Sequence, residues 1–325
     1  MSATPKSHSK AVVFGLSGTR LSAEERAFFA KADPLGFILF ARNIENPEQV
    51  RALTSELRAC VGRPSAPILI DQEGGRVQRL KPPHWRQAPP ARKFGDLWRA
   101  NPTWGRAAAR LNALILALEL ADVGIDVNCT PVLDIPAPEA HDVIGDRAFA
   151  LDPVAVAELG REVCEGLLAG GVAPVIKHLP GHGRARADSH LELPRVDAAL
   201  VELEAVDFAP FRALRLAPWG MTAHIVYSKI DPQAPATLSP TVVREIIRGR
   251  IGFEGVLLTD DLSMKALTGS YSERCERALA AGCDVILHCN GDMAEMTEVA
   301  AATPALRPDS LARLANACER KEPLT

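Results

Sequence analysis

The stretch Ala173-Pro-Val-Ile-Lys-His-Leu-Pro-Gly-His-Gly183 is the most informative part of this chain for both fold and function. Its first four residues are an apolar run of the kind that forms a buried strand. Pro180 and Gly181 then end the strand, because neither residue continues a regular sheet or helix. Residues 177–190 contain three histidines, one lysine, two arginines and one aspartate. Packing does not explain so many titratable groups, so the loop is a candidate functional site.

The same unit, an apolar run followed by a stretch with helical spacing, recurs along the chain. The apolar runs predict strands at residues 11–16, 36–40, 67–70, 126–133, 173–176, 221–226, 255–258 and 284–287. Helical spacing is found at residues 22–31, 47–60, 98–123, 153–169, 203–216, 239–250 and 272–281. This alternation predicts parallel strands joined by crossover helices.

Eight such units favour an α/β fold, a TIM (β/α)8 barrel, with residues 1–325 as one catalytic domain. An open doubly wound sheet is the alternative, but no GxGxxG motif follows the first strand. Local signals mark several helix starts. Ser22 and Ser239 each place a hydroxyl before a first turn, and Asn46-Pro47 puts proline at the first helical position.

The composition is that of an ordinary globular protein, with 47% hydrophobic residues, 24% charged residues and a formal net charge of −3. A charge so near neutral argues against binding to nucleic acid or to anionic membranes. No apolar run reaches the roughly 20 residues that span a bilayer. The polar N-terminus also lacks the apolar core of a signal peptide. Seven scattered cysteines without a pair of CxxC motifs indicate reduced thiols in a cytoplasmic protein and no structural zinc.

Polar residues follow most of the predicted strands. They are Asp71, Asp134, Lys177, His178, His224, Asp260, Asp261 and His288. In a barrel the C-terminal ends of the strands meet at one mouth, where the chemistry takes place. We therefore expect these side chains to converge there.

Two pairs of residues are the sharpest candidates for catalysis. Asp260 and Asp261 are adjacent, so one is expected to face the mouth while the other caps a helix or braces the loop. Asp188 and His190 lie two residues apart, on the same side of an extended loop. A carboxylate in that position raises the basicity of the imidazole, as proton transfer requires.

The other polar residues have structural interpretations that stay open. Asp71, Arg79 and Arg147 suit binding of hydroxyls or a carboxylate, or else form a salt-bridge network at the rim. Lys177 and His178 have the same two interpretations. His224 and His288 are interpreted as core histidines, and His182 as a residue that shapes its loop. Residues 81–94 combine basic residues with Trp85, as in proteins that bind single-stranded nucleic acid, but the acidic chain favours a solvated loop over the barrel rim.

Four motifs resemble those of one known family. They are Ile70-Asp-Gln-Glu-Gly-Gly-Arg-Val-Gln-Arg79, Lys177-His-Leu-Pro-Gly-His-Gly183, Asp188-Ser-His190 and Thr259-Asp-Asp-Leu-Ser-Met264. The chain resembles bacterial β-N-acetylglucosaminidases of glycoside hydrolase family 3, the single-domain cytoplasmic enzymes of peptidoglycan recycling. The resemblance runs in order from residue 36 through Asp260. Leu179 stands where the family commonly has Phe, and Thr259 where it often has Ser.

The resemblance implies a retaining exo-hydrolase that removes terminal β-linked N-acetylglucosamine from N-acetylglucosaminyl-1,6-anhydro-N-acetylmuramic acid, with or without peptide. The enzyme would thereby serve cell-wall biogenesis, cell division and cell shape. Asp260 matches the nucleophile, His190 the acid/base and Asp188 its partner. The sugar-binding positions match Asp71, Arg79, Arg147, Lys177 and His178. A cytoplasmic monomer without metal or cofactor, acting on a small amino-sugar substrate, is expected.

Three alternatives remain at this point. A β-glucosidase or β-xylosidase of the same family usually carries an additional domain. Phosphorolysis is the second, because a histidine in place of a carboxylate would not repel phosphate. The third is a catalytically silent sugar-binding barrel. Gly181 and Gly183 are further expected to let the loop that carries His190 swing over bound sugar.

Overall fold

The fold is a closed barrel of eight parallel strands, as the sequence predicts. The structure is a computed structural model that describes residues 8–187, 189 and 191–319. The barrel strands are β1 (Lys10–Phe14), β2 (Pro34–Leu39), β3 (Ile68–Ile70), β4 (Val127–Asn128), β5 (Ala173–Leu179), β7 (Trp219–Thr222), β9 (Val256–Asp261) and β10 (Val285–His288). They follow the order β1-β10-β9-β7-β5-β4-β3-β2 around the barrel, so neighbouring strands in the chain are neighbours in space. Two short strands outside the barrel, β6 (Arg195–Val196) and β8 (Val226–Tyr227), pair in parallel with each other.

Helices surround the strands. They are α1 (Ala23–Ala32), α2 (Pro47–Cys60), α3 (Ala91–Ala100), α4 (Pro102–Asp122), α5 (Pro153–Ala169), α6 (Leu200–Glu202), α7 (Ala209–Ala213), α8 (Tyr271–Ala281), α9 (Met293–Ala302) and α10 (Pro308–Glu319). Wider π-helical turns form Leu203–Asp207 and Val242–Arg250. Among the described residues, no helix combines the length and the apolar character needed to cross a bilayer.

The predicted helix starts are confirmed by their hydrogen bonds. Ser22 accepts from the backbone N–H of Glu25 while the Glu25 side chain accepts from the Ser22 N–H, which is a capping box. Asn46 caps α2 ahead of Pro47, and the Ser239 hydroxyl accepts from the Val242 N–H at 3.1 Å. Each cap satisfies a backbone donor that the first turn of a helix leaves unpaired.

The prediction of one helix over residues 98–123 is wrong. Two helices meet there, because Pro102 restricts the preceding residue to extended backbone and lacks an N–H for the helical ladder. Asn101 accordingly has φ −156° and ψ 106°, and its side chain caps α4 by accepting from Trp104 N at 3.2 Å. The predicted loop 81–94 also ends early, since Ala91–Ala100 is α3.

Two predicted strands and one predicted helix are also shorter than expected. Residues 126–133 contain only the two-residue β4, and Pro131 lacks the donor needed to extend its ladder. Residues 221–226 divide between the ends of β7 and β8. Residues 203–216 divide into a π-helical turn and the short α7.

The hydrophobic core forms two layers. Alternate strand side chains point into the barrel, where Val13, Ile38 and Leu258 belong to one buried cluster. The others face the surrounding helices, as Phe14 and Phe37 do. Leu306 and Leu314 from the C-terminal region pack against the inner cluster. The barrel interior is therefore filled by side chains.

Candidate active site

A cavity of about 230 Å³ lies at the C-terminal ends of the barrel strands. Its polar and charged lining consists of Asp71, Glu73, Arg79, Arg147, Lys177, His178, His182, Ser189, Asp260 and Asp261. Ile38, Met221 and Leu287 contribute apolar surface. The predicted convergence of polar strand ends at one mouth is therefore observed for residues from β3, β5 and β9.

Lys177 is the centre of the charge network in this cavity. Its ammonium lies 2.8 Å from Asp71 Oδ1 and 2.8 Å from Glu73 Oε1, and its side chain is only 2% exposed. Burial alone would raise the pKa of Asp71, but Lys177 and Arg79 outweigh it and hold that pKa well below its usual range. Asp71 is therefore charged at neutral pH, beside the Lys177 ammonium.

Glu73 holds the second cation. Arg147 donates to it twice, from Nε to Oε2 at 2.9 Å and from Nη2 to Oε1 at 2.8 Å. Burial opposes ionisation of Glu73, yet Arg147 and Lys177 lower its pKa to about 2. Arg79 completes the network through Asp71 Oδ2 at 3.2 Å. The sequence left a binding role and a salt-bridge network as alternatives for these residues, and the structure shows a network whose members also line the cavity.

Asp134 fixes the orientation of His178. Its Oδ2 lies 2.7 Å from His178 Nδ1, and its Oδ1 accepts the backbone N–H groups of His178 at 3.2 Å and His182 at 2.6 Å. Burial would raise the pKa of Asp134, but His178 and these hydrogen bonds lower it. The buried carboxylate holds a proton on Nδ1, which leaves Nε2 of His178 as the ring nitrogen available to a ligand.

The two adjacent acids of β9 have different surroundings. Asp261 accepts from Ser263 N at 3.0 Å, Cys289 N at 3.1 Å and Ser263 Oγ at 2.5 Å. Its carboxylate therefore braces the loop after β9 and ties it to the end of β10. Asp260 Oδ1 accepts a local hydrogen bond from Asp261 N at 2.8 Å. Both acids line the cavity.

The profile of the glycosyl hydrolase family 3 N-terminal domain matches residues 9–320. The chain belongs to glycosyl hydrolase family 3. A relative from Alkalilimnicola ehrlichii, named beta-hexosaminidase, is 44% identical over 284 residues, which cover 86% of this chain and 80% of the relative. A beta-hexosaminidase from Chromobacterium violaceum is 42% identical over 313 residues, 95% of this chain and 85% of its own.

Solved structures give the same result. NagZ from Neisseria gonorrhoeae, in complex with N-trifluoroacetyl-D-glucosamine, is 37% identical with a TM-score of 0.88, over 96% of this chain and 91% of that chain. A family 3 β-N-acetylglucosaminidase from Paenibacillus is 32% identical with a TM-score of 0.85, over all of this chain and 60% of that chain. The chain is thus an enzyme, a glycoside hydrolase that groups with the β-hexosaminidases.

Asp188 and His190 of this family 3 hydrolase lie outside the described residues. Their roles and their arrangement along the loop therefore stay predictions. The residue between them, Ser189, is buried and lies 3.0 Å from His182 Nε2 through its hydroxyl. Burial and the neighbouring His178 lower the pKa of His182 to about 4, so this ring is neutral at physiological pH.

The remaining predicted residues lie as follows. His224 is a core histidine, with Nδ1 2.8 Å from Thr237 Oγ1 and Nε2 3.0 Å from the Asp261 carbonyl oxygen. His288 is also buried and packs edge-on against Tyr271. Trp85 is half-buried and packs against the core. Among the described residues, no group of three or more His, Cys, Asp or Glu is arranged to hold a metal ion.

The sequence does not single out Glu73, and it does not predict the partner of Asp134. The sequence predicts Asp134 only as a polar residue at a strand end, and Glu73 lies inside the motif that ends in Arg79. The signal available for both is their position in the segment that follows a barrel strand, β3 for Glu73 and β4 for Asp134. Their partners are 74 and 44 residues away in the chain, so only the fold reveals what they hold.

Proposed function

We propose that this enzyme is a retaining exo-β-N-acetylhexosaminidase that removes terminal, non-reducing N-acetylglucosamine from peptidoglycan fragments. The proposed substrate is N-acetylglucosaminyl-1,6-anhydro-N-acetylmuramic acid, with or without peptide, and the proposed location is the cytoplasm. The cavity in which Asp260 lies among fixed cations and carboxylates carries this proposal, because such groups bind sugar hydroxyls. The gonococcal NagZ complex with N-trifluoroacetyl-D-glucosamine, at 37% identity, supports the choice of an amino sugar.

In the proposed reaction, Asp260 attacks the anomeric carbon while the bond to the leaving sugar oxygen breaks. His190 donates a proton to that oxygen, and a covalent glycosyl-enzyme forms. His190 then takes a proton from water, the hydroxide attacks the same carbon, and Asp260 leaves with the β configuration retained. Asp188 would stabilise the imidazolium that gives its proton in the first step and that forms again in the second. An imidazole suits both steps, because its ordinary pKa lies near neutral pH.

The hydroxyls of the sugar are proposed to bind to His178 and to Asp71, Arg79, Arg147 and Lys177 of the charge network. The members of the charge network hold one another in place before any sugar binds, since Lys177 and Arg147 both contact the carboxylate of Glu73. A site ordered in advance loses little side-chain entropy when it binds. A fixed site also holds the bound sugar with its anomeric carbon facing the Asp260 carboxylate, and such alignment of the two reacting atoms raises the rate.

The test compares hydrolysis of p-nitrophenyl N-acetyl-β-glucosaminide with that of p-nitrophenyl β-glucoside, using wild type and Asp260→Ala. Activity that requires both the acetamido group and Asp260 is expected. Activity on the plain glucoside would move the enzyme to the glucosidase alternative, and an inactive wild type would leave a sugar-binding barrel. An active Asp260→Ala variant together with an inactive Asp261→Ala variant would show that the wrong acid was chosen.

Two further measurements test the finer parts of the proposal. Proton NMR of the first product formed should show the β anomer, whereas an initial α anomer would refute retention. Release of free N-acetylglucosamine should be unchanged when inorganic phosphate is added. Formation of the 1-phosphate would show phosphorolysis instead.

A further inference from the structure

Phe40 directly follows β2 at the mouth of the barrel and lines the cavity. Its half-buried side chain packs against the inner cluster of the core. Two arginines lie over its ring. The guanidinium carbon of Arg42 is 5.0 Å from the ring centroid, and that of Arg79 is 5.4 Å from it. Both distances lie within the roughly 6 Å over which an aromatic face attracts a cation.

Arg79 has few hydrogen bonds to fix the orientation of its guanidinium. Its Nη2 donates to Asp71 Oδ2 at 3.2 Å, and its buried Nε has no hydrogen-bond partner in the described part of the chain. Arg147, by comparison, donates twice to Glu73, at 2.9 and 2.8 Å. Two parallel hydrogen bonds define the plane of a guanidinium, whereas one leaves it free to rotate. Arg79 therefore needs a second contact to keep one orientation.

The ring of Phe40 supplies this second contact. A guanidinium is planar and weakly hydrated, so it stacks readily on an aromatic face. The attraction is electrostatic and strengthens as water is excluded. The side chain of Arg79 is only 26% exposed, so water screens the contact in part. Arg79 is thus restrained by a carboxylate at Nη2 and by a ring beside its guanidinium carbon.

The main chain that carries the ring is itself fixed. The Phe40 N–H donates to Asn43 Oδ1 at 2.9 Å, and Asn43 Nδ2 donates to the Leu16 carbonyl oxygen at 3.1 Å. Arg42 donates from Nε to the same Leu16 oxygen at 2.8 Å and from Nη2 to the Cys289 carbonyl oxygen. These hydrogen bonds tie the segment after β2 to the segments after β1 and β10. The ring is therefore held in place before any ligand binds.

We propose that Phe40 is a positioning residue for sugar binding, which holds the guanidinium of Arg79 in the orientation that binds a sugar hydroxyl. This role rests on the proposed function, in which Arg79 binds the sugar. Phe40 acts through Arg79 and takes no part in the chemistry. Its loss should weaken binding of the substrate and of the transition state alike, which raises KM and changes kcat little.

The first test is steady-state hydrolysis of p-nitrophenyl N-acetyl-β-glucosaminide by wild type, Phe40→Leu and the control Phe28→Leu. Leucine keeps an apolar contact with the core and removes the ring. KM of Phe40→Leu is expected to rise about fivefold, because a partly exposed cation–π contact corresponds to roughly a three- to tenfold change in affinity. Phe28 is also half-buried but packs against Phe14 and Phe29, so its variant should keep the KM of wild type. Melting temperatures verify that both variants are folded.

A double-mutant cycle separates positioning of Arg79 from a direct contact between the ring and the sugar. In an Arg79→Gln background the ring no longer has this cation to hold, so Phe40→Leu should leave KM unchanged there. The same fold-change in both backgrounds would show that the ring contacts the sugar itself, and it would overturn the proposal.

The electrostatic origin of the contact has its own test. A trifluorinated phenylalanine at position 40 keeps the shape of the ring and weakens its negative face. KM should therefore rise for this protein as well, with little change in kcat. A KM equal to that of wild type would show that the ring acts through its shape alone, which would equally overturn the proposal.

These outcomes are separable from those of the proposed function. The Kd of N-acetylglucosamine, measured by calorimetry for the same variants, does not depend on turnover. A wild type that binds this sugar without hydrolysing the glycoside would refute the proposed reaction, and the Kd of Phe40→Leu would still decide the role of Phe40. Unchanged KM and Kd in Arg79→Gln would refute sugar binding by Arg79 and, with it, the role of Phe40. A raised KM in Arg79→Gln beside a wild-type KM in Phe40→Leu would overturn the role of Phe40 alone.

Discussion

Replacing Glu73 by glutamine removes the carboxylate that neutralises both Lys177 and Arg147. The side chain of Glu73 is 7% exposed, so water does not compensate for the lost charge. The pKa of Glu73 falls from its ordinary value of 4.5 to about 2, which corresponds to roughly 3 kcal/mol in favour of the charged form. Loss of one partner from a buried ion pair costs a similar amount, about 3–5 kcal/mol. We therefore expect Glu73→Gln to lower the free energy of unfolding by roughly 3 kcal/mol.

The same change should weaken the site. In Glu73→Gln, Lys177 and Arg147 lose the carboxylate that both of them contact, so neither cation is held as firmly in its position. We expect KM for p-nitrophenyl N-acetyl-β-glucosaminide to rise about tenfold or more, because a loss of about 1.4 kcal/mol in the free energy of sugar binding already lowers the affinity tenfold. Steady-state kinetics and thermal melts of the two proteins measure both effects.

Glu139→Gln is the matched control. Glu139 also pairs with an arginine, Arg186, at 2.6 Å, but both side chains are more than 70% exposed. Exposed pairs contribute little, so this variant should melt and turn over like wild type. Equal behaviour of the two variants would refute the argument that the buried carboxylate organises the site.

The pH dependence gives an independent check. The folded pKa of Glu73 lies below its unfolded value, so its stabilisation is fully present above about pH 4.5 and is lost as the pH falls toward 2. The difference in stability between wild type and Glu73→Gln should therefore be constant near neutral pH and shrink in acid. A difference that grows in acid would contradict the charge assignment.

Three further predictions follow from single contacts. Burial outweighs the effect of Arg184 and raises the pKa of Asp207 to about 6. The folded state therefore favours the protonated carboxyl, and the protein loses stability as the pH rises from about 4 to 6. In thermal melts, the Asp207→Asn variant should lose less stability than wild type over that pH interval. Gly183→Ala should destabilise the loop and reduce kcat, because a Cβ there would lie 1.9 Å from a backbone oxygen, whereas Gly18→Ala, with nothing within 4 Å, should behave like wild type. Asp134→Asn should lower kcat/KM by about tenfold or more, since His178 loses the carboxylate that fixes its tautomer. Its free energy of unfolding should fall less than that of Glu73→Gln. Unchanged kinetics would show that the orientation of His178 is unimportant.

The contact at Gly183 also changes the interpretation of the loop. The sequence predicts that Gly181 and Gly183 give the loop freedom to swing. In the structure Gly183 packs directly against the backbone of Ile135, and Gly181 has φ 141°. A variant with alanine at both Gly181 and Gly183 would therefore be slowed by steric clashes as well as by any loss of loop motion. A test of loop motion has to leave both glycines in place.

Local patterns were sufficient for the architecture. Short apolar runs alternating with amphipathic stretches predict strand and helix one unit at a time, and parallel strands with crossover helices leave few ways to close. The caps at Ser22 and Asn46 are equally local, since each involves residues within three positions. The break between α3 and α4 also has a local signal, the capping Asn101 followed by Pro102. Helical spacing of apolar residues on both sides of this pair favoured one continuous helix instead.

The sequence by itself determined the barrel, the end of the barrel at which the polar side chains meet, and the motifs of the family, because each depends on order and spacing along the chain. Tertiary structure alone decided which charge pairs with which. Glu73 meets Arg147 across 74 residues and Asp134 meets His178 across 44. It also decided that Asp261 braces β10 and that the ring of Phe40 lies against Arg79. Coulomb and hydrogen-bond energies depend on distances of a few ångströms, and those distances exist only after distant segments have packed.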